Sequence, residues 1–477
     1  MSGDECDEHA LGEPLELDSD EEPVNAVDAE DAKFSVGAVD RVFARTGLWE
    51  GKELMHYDDI KAGPANLPKG FMDFTPLQII MLLMPLYLWE LVQVQTNLYH
   101  LENHKGAFET PCDLRHIFVF VGLMMKMVGK WSRAQDSYFD GTGAFDATVY
   151  MSRRRFYWIK RWLHFVDNKK KPKPPPPDWD PLFSIRPVLT ILRTTFARYW
   201  KMSEIMALDE QMVMFKGRNP FHRFIPRKPH PNGTKVHTLC DSAMYYCVAL
   251  VVDTTVSRSI PDVVNELFEC AGVMAGQTII TDRFYTCTPL VALCCKRGVG
   301  FIGSTMKNRF LAKRTLSGWT KAEAKLLPRG TYEVATNRER TIANIIWKDK
   351  GIVRLTATAG SSIRVRLTRG ERGRSKFKVH APHAAEIFDD NFHGCDRDGQ
   401  LKARPYSLCL SFRAMKWPTK LFLGLVDMAM VNAWILWREL HPRDHKKHAW
   451  FYDTVANELL LFNPKGNCNC NCLIKET

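Results

Sequence analysis

The chain has 477 residues and a mass of 54.8 kDa, a length that exceeds one compact core and predicts several domains. Its formal net charge is +11, but residues 1–31 hold 13 Asp or Glu and no Lys or Arg, so the remainder has 65 basic and 41 acidic residues. That balance predicts a polyanionic partner, with nucleic acid first and an acidic membrane surface second. The 13 cysteines form no disulfide framework, which excludes a small secreted scaffold.

The N-terminal region is acidic and contains no apolar leader segment. Residues 1–33 are poor in aromatic side chains and have the composition of an acidic disordered tail. The most apolar run, Ile79 to Trp89, has 11 residues and contains Pro85, so it is too short to cross a bilayer and predicts a core helix. We therefore expect no membrane partner.

Residues 34–203 have the periodicity of a mainly helical domain, with apolar residues three and four positions apart. Helices are predicted at 75–100, 113–128, 152–166 and 185–200. A Lys/Pro segment at 168–181 interrupts them, because four consecutive prolines exclude a helix and favour an exposed polyproline linker. The sequence KKKPK within it resembles a nuclear-import patch and predicts a location in the nucleus, with a solvated loop as the alternative.

From residue 204 the pattern changes to short, β-branched, apolar segments that are typical of strands. Strands are predicted at 236–242, 245–253, 277–282 and 300–305, with a helix at 288–298, which together indicate an α/β layer. The last long helix is predicted at 419–440. We divide the chain into an acidic tail (1–33), a helical domain (34–203), two core segments (204–306 and 386–400) around a β-rich basic insertion (307–385), C-terminal helices (401–445) and a short tail (446–477).

Three aspartates have positions expected of metal ligands. Asp209 lies in the middle of the apolar segment IMALDEQMVM, Asp282 ends the segment TIITD, and Asp396 follows a polar stretch in HGCDRDGQ. Hard divalent cations bind carboxylates from separate elements, and two ions about 4 Å apart can flank a scissile phosphate. Taken singly, each aspartate also fits a cap or an ion-pair partner, and spacing alone does not bring the three together.

Several longer motifs occur in a fixed order along the chain: WELVQVQTNLYH, ALDEQMVMFKGR, GTKVHTLCDS, TDRFYTCTPL, NFHGCDRDGQ and KWPTKLFLGLVDMAMVNAWILW. Together they resemble the piggyBac transposase family, over roughly residues 70–440. The resemblance implies an α/β fold class with an RNase H-like catalytic core and a β-rich insertion, flanked by an α-helical dimerisation and DNA-binding domain.

By that resemblance, Asp209, Asp282 and Asp396 form a catalytic triad that holds two Mg²⁺ or Mn²⁺ ions. The implied activity is cleavage of DNA at element ends, followed by transfer of the freed 3′-hydroxyl to a TTAA target. The implied partners are double-stranded DNA, as inverted repeats and as target, and a second copy of the chain in a homodimer. The alternative function is a catalytically inactive, transposase-derived DNA-binding protein.

The chain departs from the family pattern in two places. The family commonly reads GVDRADQ, with a further functional Asp three residues after the third catalytic one, but that position is Gly399 here and only Asp398 is nearby as an auxiliary carboxylate. Where many relatives carry a zinc module, the tail has Cys468, Cys470 and Cys472. This C-x-C-x-C pattern lacks the second ligand pair typical of structural zinc, so we expect no ordered zinc. Truncation or decay of the tail is the alternative to a working zinc module.

Basic residues in three segments are candidate DNA contacts, because Lys and Arg provide salt-dependent affinity for phosphate. Some alternate with aromatic residues in 152–166, two belong to the motif FKGR, and the others lie in the run 364–378. In each segment a solvated basic face is the alternative. The candidates are Arg153, Arg154, Arg155, Lys160, Arg161, Lys216, Arg218, Arg364, Arg366, Arg369, Arg372, Arg374, Lys376 and Lys378.

Overall fold

The computed structural model describes residues 43–51, 62–104, 110–129, 135–172, 179–226, 228–254, 258–309, 311, 316, 319–370, 375–402 and 406–463. For six residues inside helices, only the backbone is described: Gly129, Lys321, Asp396, Arg397, Asp398 and Gln400.

Helices account for most of the described N-terminal part and for the C-terminal part. They are α1 (Pro76–Leu83), α2 (Leu86–Asn103), α3 (Leu114–Gly129), α4 (Arg153–Trp162), α5 (Arg186–Arg198), α6 (Ile260–Ala271), α7 (Thr288–Arg297), α8 (Lys321–Leu326), α9 (His383–Asn391), α10 (Gly394–Leu401), α11 (Leu408–Ser411), α12 (Trp417–Leu440) and α13 (His448–Leu461). Short 3-10 turns lie at Phe71–Asp73, Gln135–Tyr138, Ala147–Val149, Asn168–Lys170 and Phe183–Ile185.

The first predicted helix, 75–100, is two helices in the structure. Thr75 begins α1 with a capping box, in which its hydroxyl accepts from the Gln78 N–H and the Gln78 side chain accepts from the Thr75 N–H. The chain then breaks at Met84 and Pro85, and α2 leaves at 71° to α1. The break follows from Pro85, because a proline has no N–H for the helix ladder and its ring collides with the preceding turn.

Strands are concentrated between residues 200 and 382, with two short ones before them. They are β1 (Phe43–Thr46), β2 (Gly63–Pro64), β3 (Trp200–Lys201), β4 (Ile205–Met214), β5 (His222–Phe224), β6 (Asn232–Asp241), β7 (Cys247–Val252), β8 (Thr278–Thr281), β9 (Gly300–Ser304), β10 (Tyr332–Asn337), β11 (Ala343–Lys348), β12 (Ile352–Ala357), β13 (Arg364–Arg369) and β14 (Phe377–Pro382). The four predicted strands correspond to β6 to β9, and the predicted helix between the last two corresponds to α7, which ends at Gly298 in the left-handed conformation.

The central sheet has the order β7-β6-β4-β8-β9, in which β6 is antiparallel to β4 and β7, while β4, β8 and β9 run parallel. Its middle strands are largely buried along their length, as expected for a sheet covered on both sides. Ile279 packs into the larger core with the N-terminal and C-terminal helices, whereas its neighbour Ile280 packs into a second core with α9 and the insertion strands.

The insertion does not form a β unit of its own. Strand β12 pairs antiparallel with β9, and β11, β10 and β1 follow outward, so three insertion strands and β1 extend the central sheet. The outermost of these, β1, comes from the segment that the sequence assigned to the helical domain. The insertion strands β13 and β14 form a separate two-stranded ribbon.

Helix α12 joins the helical part to the sheet. By length and composition it is apolar enough to cross a membrane, as is the bent pair α1–α2, but 94% of its most apolar stretch is buried inside the protein. The Asn432 side chain donates to the Cys247 carbonyl (2.8 Å) and accepts from the Cys247 N–H (2.9 Å), so it satisfies the first residue of the outer strand β7. Asp427 accepts from the Ser407 hydroxyl and from the Leu408 and Cys409 N–H groups and thereby caps α11.

The last described helix, α13, occupies part of the segment 446–477 that the sequence interpretation treated as a short tail. It packs along α3, where a Cβ atom on Gly122 would lie only 3.0 Å from the Ala456 carbonyl oxygen. Its Glu458 carboxylate accepts from the Leu77 N–H (2.7 Å) at the start of α1. The periodicity of Phe451, Val455 and Leu459 identifies this helix in retrospect.

His448 at the start of α13 gives the fold a dependence on pH. Its ring lies against Tyr406, Trp434 and Tyr452, and its Nε2 atom has no hydrogen-bond partner within the described part of the chain. Burial lowers the pKa of His448 to about 4. The unfolded chain therefore binds a proton that the folded chain excludes, and this contribution to stability is full above the ordinary pKa of about 6.5 and is lost as the pH falls towards 4.

We expect the wild type to lose up to about 3 kcal/mol of unfolding free energy relative to His448→Phe between pH 7 and pH 4. Thermal unfolding of both proteins across this pH range measures the difference. Parallel pH curves for the two proteins would contradict the assignment, because other titrating groups are common to both.

Candidate active site

Two of the three candidate aspartates are placed side by side by the sheet. In the parallel pair β4–β8, Leu208 is opposite Thr281, so Asp209 and Asp282 are the next residues along the two neighbouring strands. Neighbouring strands are separated by about 4.8 Å, which brings two carboxylates from distant parts of the sequence to one place. Asp209 is buried, and its Oδ1 accepts from the Glu210 N–H (2.7 Å).

Asp282 directly follows β8 and also shapes the turn at this point. Its Oδ1 accepts from the N–H groups of Phe284 (2.9 Å) and Tyr285 (3.2 Å), an arrangement that fixes the carboxylate against the backbone. The next strand approaches this turn closely, because a Cβ atom on Gly303 would lie 2.3 Å from the Thr286 hydroxyl and 2.5 Å from the Thr281 hydroxyl. A glycine at 303 therefore permits the position of Asp282.

The third candidate, Asp396, lies in helix α10 and not in a loop. The described backbone and neighbouring side chains of α10 pack on β4 and β6, since the Cys395 thiol donates to the Ala207 carbonyl (3.2 Å) and a Cβ on Gly394 would lie 3.0 Å from the Ala207 Cβ. Asp396 therefore belongs to a helix that contacts the strand of Asp209. The side chains of Asp396 and of the auxiliary candidate Asp398 lie outside the described residues.

A carboxylate and a lysine that the sequence interpretation did not assign to the site complete its described part. Glu210 is largely buried, with its Oε1 3.3 Å from the Lys228 Nζ and its Oε2 3.8 Å from the Lys235 Nζ. That Oε2 has no hydrogen-bond partner among the described residues. Glu210 belongs to the motif ALDEQM and Lys235 to the motif GTKVHT, so the sequence contains both. Their proximity follows from the pairing of β4 with β6.

The electrostatics of this region reflect buried negative charge. Burial and, to a smaller extent, the nearby Glu210 carboxylate together raise the pKa of Asp282 to about 6. Burial also raises the pKa of Glu210, but Lys235 and Lys228 outweigh it, so the pKa lies below its ordinary value. His237, whose Nδ1 is 2.6 Å from the Tyr285 hydroxyl, has its pKa lowered to about 4, mainly by burial. His237 is therefore neutral at physiological pH, and lysine side chains supply the positive charge beside these carboxylates.

The described residues fit a hard divalent cation in their chemistry. Asp209, Asp282 and Glu210 offer only oxygen atoms, which Mg²⁺ and Mn²⁺ prefer, and the buried Glu210 Oε2 accepts no hydrogen bond from the described residues. Within the described side chains, no three His, Cys, Asp or Glu groups converge closely enough to hold an ion. A complete ligand set therefore requires a further carboxylate, and Asp396 on α10 is the candidate.

Comparisons with known proteins agree with this architecture. A family model described as Transposase IS4 matches residues 75–434, well over half of the chain. The chain belongs to the IS4-type transposase family. The human PiggyBac transposable element-derived protein 2 is 24% identical over 297 residues, which cover 60% of this chain and 48% of that relative. This chain therefore spans about half the length of the curated relative that it matches.

The fold is shared with a solved transposase. A cryo-EM structure of a piggyBac transposase synaptic complex with hairpin DNA superposes with a TM-score of 0.71 at 18% identity, covering 85% of each chain. The similarity to piggyBac transposases and the RNase H-like α/β core expected from the sequence motifs are thereby confirmed.

The basic candidate side chains differ in whether they already form contacts within the protein. On α4, Arg153 pairs with Asp136 (2.8 Å), Arg155 donates to the Thr110 carbonyl (2.7 Å), and Lys160 donates to the Gln135 side chain (2.5 Å). Arg154 and Arg161 are exposed on the same helix. Arg369 is held inside the fold by Asp349 and Asp389 at 3.0 and 2.6 Å, so its position favours a structural role over DNA contact.

The other basic candidates lie on open surfaces. Lys216 and Arg218 directly follow β4 and are exposed. The β13–β14 ribbon has an apolar face in the second core and an outer face with exposed basic side chains, namely Arg364, Arg366 and Lys378, with Lys376 next to it. The candidates Arg372 and Arg374, and the cysteines Cys468, Cys470 and Cys472, lie outside the described residues.

The contact between α10 and β4 predicts that Gly394→Val destabilises the protein by about 1–3 kcal/mol, because the branched side chain has no space beside Ala207. Gly399→Ala in the same helix is the matched control, since nothing lies within 4 Å of a Cβ there, and we expect its stability to be equal or higher by up to about 1 kcal/mol. Denaturant unfolding measures both. Equal losses in the two variants would show that α10 does not pack closely on β4.

Proposed function

We propose that the protein is a DNA transposase of piggyBac type that cleaves and joins DNA at the ends of a mobile element. The observation that carries the proposal is the position of Asp209 and Asp282 at neighbouring points of two parallel strands, with the helix of Asp396 packed on the strand of Asp209. Family membership supports the reaction class. Carboxylates from three separate elements are what a phosphodiester-cleaving metal site requires.

In this proposal the residues have distinct roles. Asp209, Asp282 and Asp396 hold Mg²⁺ or Mn²⁺, and the bound metal supplies activation of the attacking oxygen and stabilisation of the leaving oxygen. The turn from Asp282 to Tyr285 fixes one carboxylate before any ion binds, because two backbone N–H groups already hold it. The partial burial of the site limits access of bulk water and strengthens each interaction with the reacting phosphate.

The proposed substrate is double-stranded DNA, as element ends and as a TTAA target. Exposed Lys216 and Arg218 beside β4 and the outer face of the β13–β14 ribbon provide positive surface for its phosphates. A homodimer would present two such sites to two element ends, and the KKKPK segment supports transport to the nucleus. An inactive DNA-binding protein is the alternative that the experiments below distinguish.

We expect Asp282→Asn to abolish Mn²⁺-dependent strand cleavage while leaving affinity for DNA within a few-fold of wild type, since the residue contacts metal and not the distributed basic surface. The same variant should be more stable than wild type without metal, by about 1–2 kcal/mol, because a neutral side chain is easier to bury beside Glu210. Cleavage of labelled duplexes, fluorescence anisotropy and thermal unfolding provide the three readings. Loss of DNA affinity together with cleavage would assign Asp282 a structural role.

Strand joining tests the proposed function directly. Purified protein is incubated with Mn²⁺, pre-cut DNA ends taken from the flanks of its own gene, and a supercoiled plasmid, with Asp396→Asn in parallel. Joined products from the wild type alone establish transposase chemistry and show that glycine at 399 is tolerated. Binding without joining by both proteins would overturn the enzymatic proposal in favour of the inactive DNA-binding alternative.

A further inference from the structure

Lys235 is a buried lysine beside the candidate metal site. It lies in β6 opposite Met212 of β4, and its side chain is only 8% exposed. Its Nζ atom is 3.8 Å from the Glu210 Oε2 and 3.6 Å from the centre of the Phe284 ring. Phe284 is the residue whose N–H donates to the Asp282 carboxylate, so Lys235 also lies against the turn that holds Asp282.

Four carboxylates surround Lys235. Burial lowers the pKa of Lys235, and four carboxylates act in the opposite direction: Glu210 most strongly, then Asp253, Asp282 and Asp209. Of these, Asp253 already has a two-pronged ion pair with Arg223, at 2.8 and 3.3 Å. The remaining carboxylates belong to the candidate metal site or adjoin it, and a buried charge of either sign is costly without a partner.

We propose that Lys235 is the internal counter-cation of the metal-free site, and that a divalent ion bound by the neighbouring carboxylates takes over this charge. Lys235 is then a positioning residue: it holds Glu210 and the Asp282 turn in place before an ion arrives. The inference rests on the proposed metal-dependent function. Its consequence is a competition, because a fixed positive charge in a partly buried pocket opposes the entry of a second cation.

Because of this competition, removal of Lys235 should lower the stability of the metal-free protein and raise its affinity for metal. Without metal, Lys235→Met leaves Glu210 with Lys228 as its one ion-pair partner among the described residues, and we expect the melting temperature to fall by about 5 °C or more. With the repelling charge gone, the Mn²⁺ concentration for half-saturation should fall about ten-fold. Saturating Mn²⁺ should then recover most of the lost melting temperature. A lysine with a purely structural role would lower stability equally with and without metal.

Mn²⁺ titrations by isothermal calorimetry and by thermal unfolding measure both quantities on the full chain. Lys228→Met is the matched control. Lys228 also pairs with Glu210, but its side chain is 32% exposed against 8% for Lys235, so solvent screens its charge, and the variant should leave the half-saturating Mn²⁺ concentration within about two-fold. Lys235→Arg keeps the charge and should retain weak Mn²⁺ binding. If Lys235→Met does not fold, the double variant with Glu210→Gln removes the stranded carboxylate and should restore folding without metal.

The outcomes separate this inference from the function on which it rests. A wild type whose melting temperature does not respond to Mn²⁺ would overturn the metal site and the role of Lys235 together. A wild type that responds, with Lys235→Met binding Mn²⁺ no more tightly, would overturn only the role of Lys235. Tighter Mn²⁺ binding by Lys235→Met, with unchanged binding by Lys228→Met and Lys235→Arg, supports it.

Discussion

The parallel pairing of β4 with β8 is the constraint on which the candidate site depends. Leu208 opposite Thr281 sets the register, and the residues that follow are therefore two aspartates separated by more than seventy positions in the sequence. A slip by one residue would turn one carboxylate to the opposite face of the sheet. The surrounding packing protects this register: Ile279 and Ile280 are buried in two different cores, so a shifted strand would exchange their environments.

This arrangement buries negative charge where it is poorly hydrated, which lowers the stability of the fold. Two observations show this: the raised pKa of Asp282, and the Glu210 carboxylate oxygen that has no donor in the part of the chain that the structure describes. Proteins keep such groups at functional sites because the same burial that destabilises the charged form strengthens its interaction with a cation. Lys235, supported by the Phe284 ring, is the part of the fold that counteracts this cost in the absence of metal.

The helical framework supports the sheet through polar contacts as well as apolar ones. Asn432, Asp427 and Lys420 are buried on a helix that otherwise has the composition of a membrane span, and each bonds to backbone groups of neighbouring elements. Such contacts fix the rotation of the helix about its axis and its position along that axis. In any other placement, a buried polar group would lose its partner, which is costly. Helix α13 closes the same framework by packing on α3 and by capping α1 through Glu458.

The sequence by itself determined the element types of the core, from β-branched runs and the glycine that ends α7, and its ordered motifs identified the family and the candidate aspartates. Local pattern did not show that the insertion strands extend the central sheet, that residues 448–461 form a helix against α3, or that the run 75–100 bends at Pro85. The tertiary structure alone placed Lys235 next to Glu210 and the turn of Asp282. Strand register and burial decide which charges meet, and both arise from contacts between segments far apart in the chain.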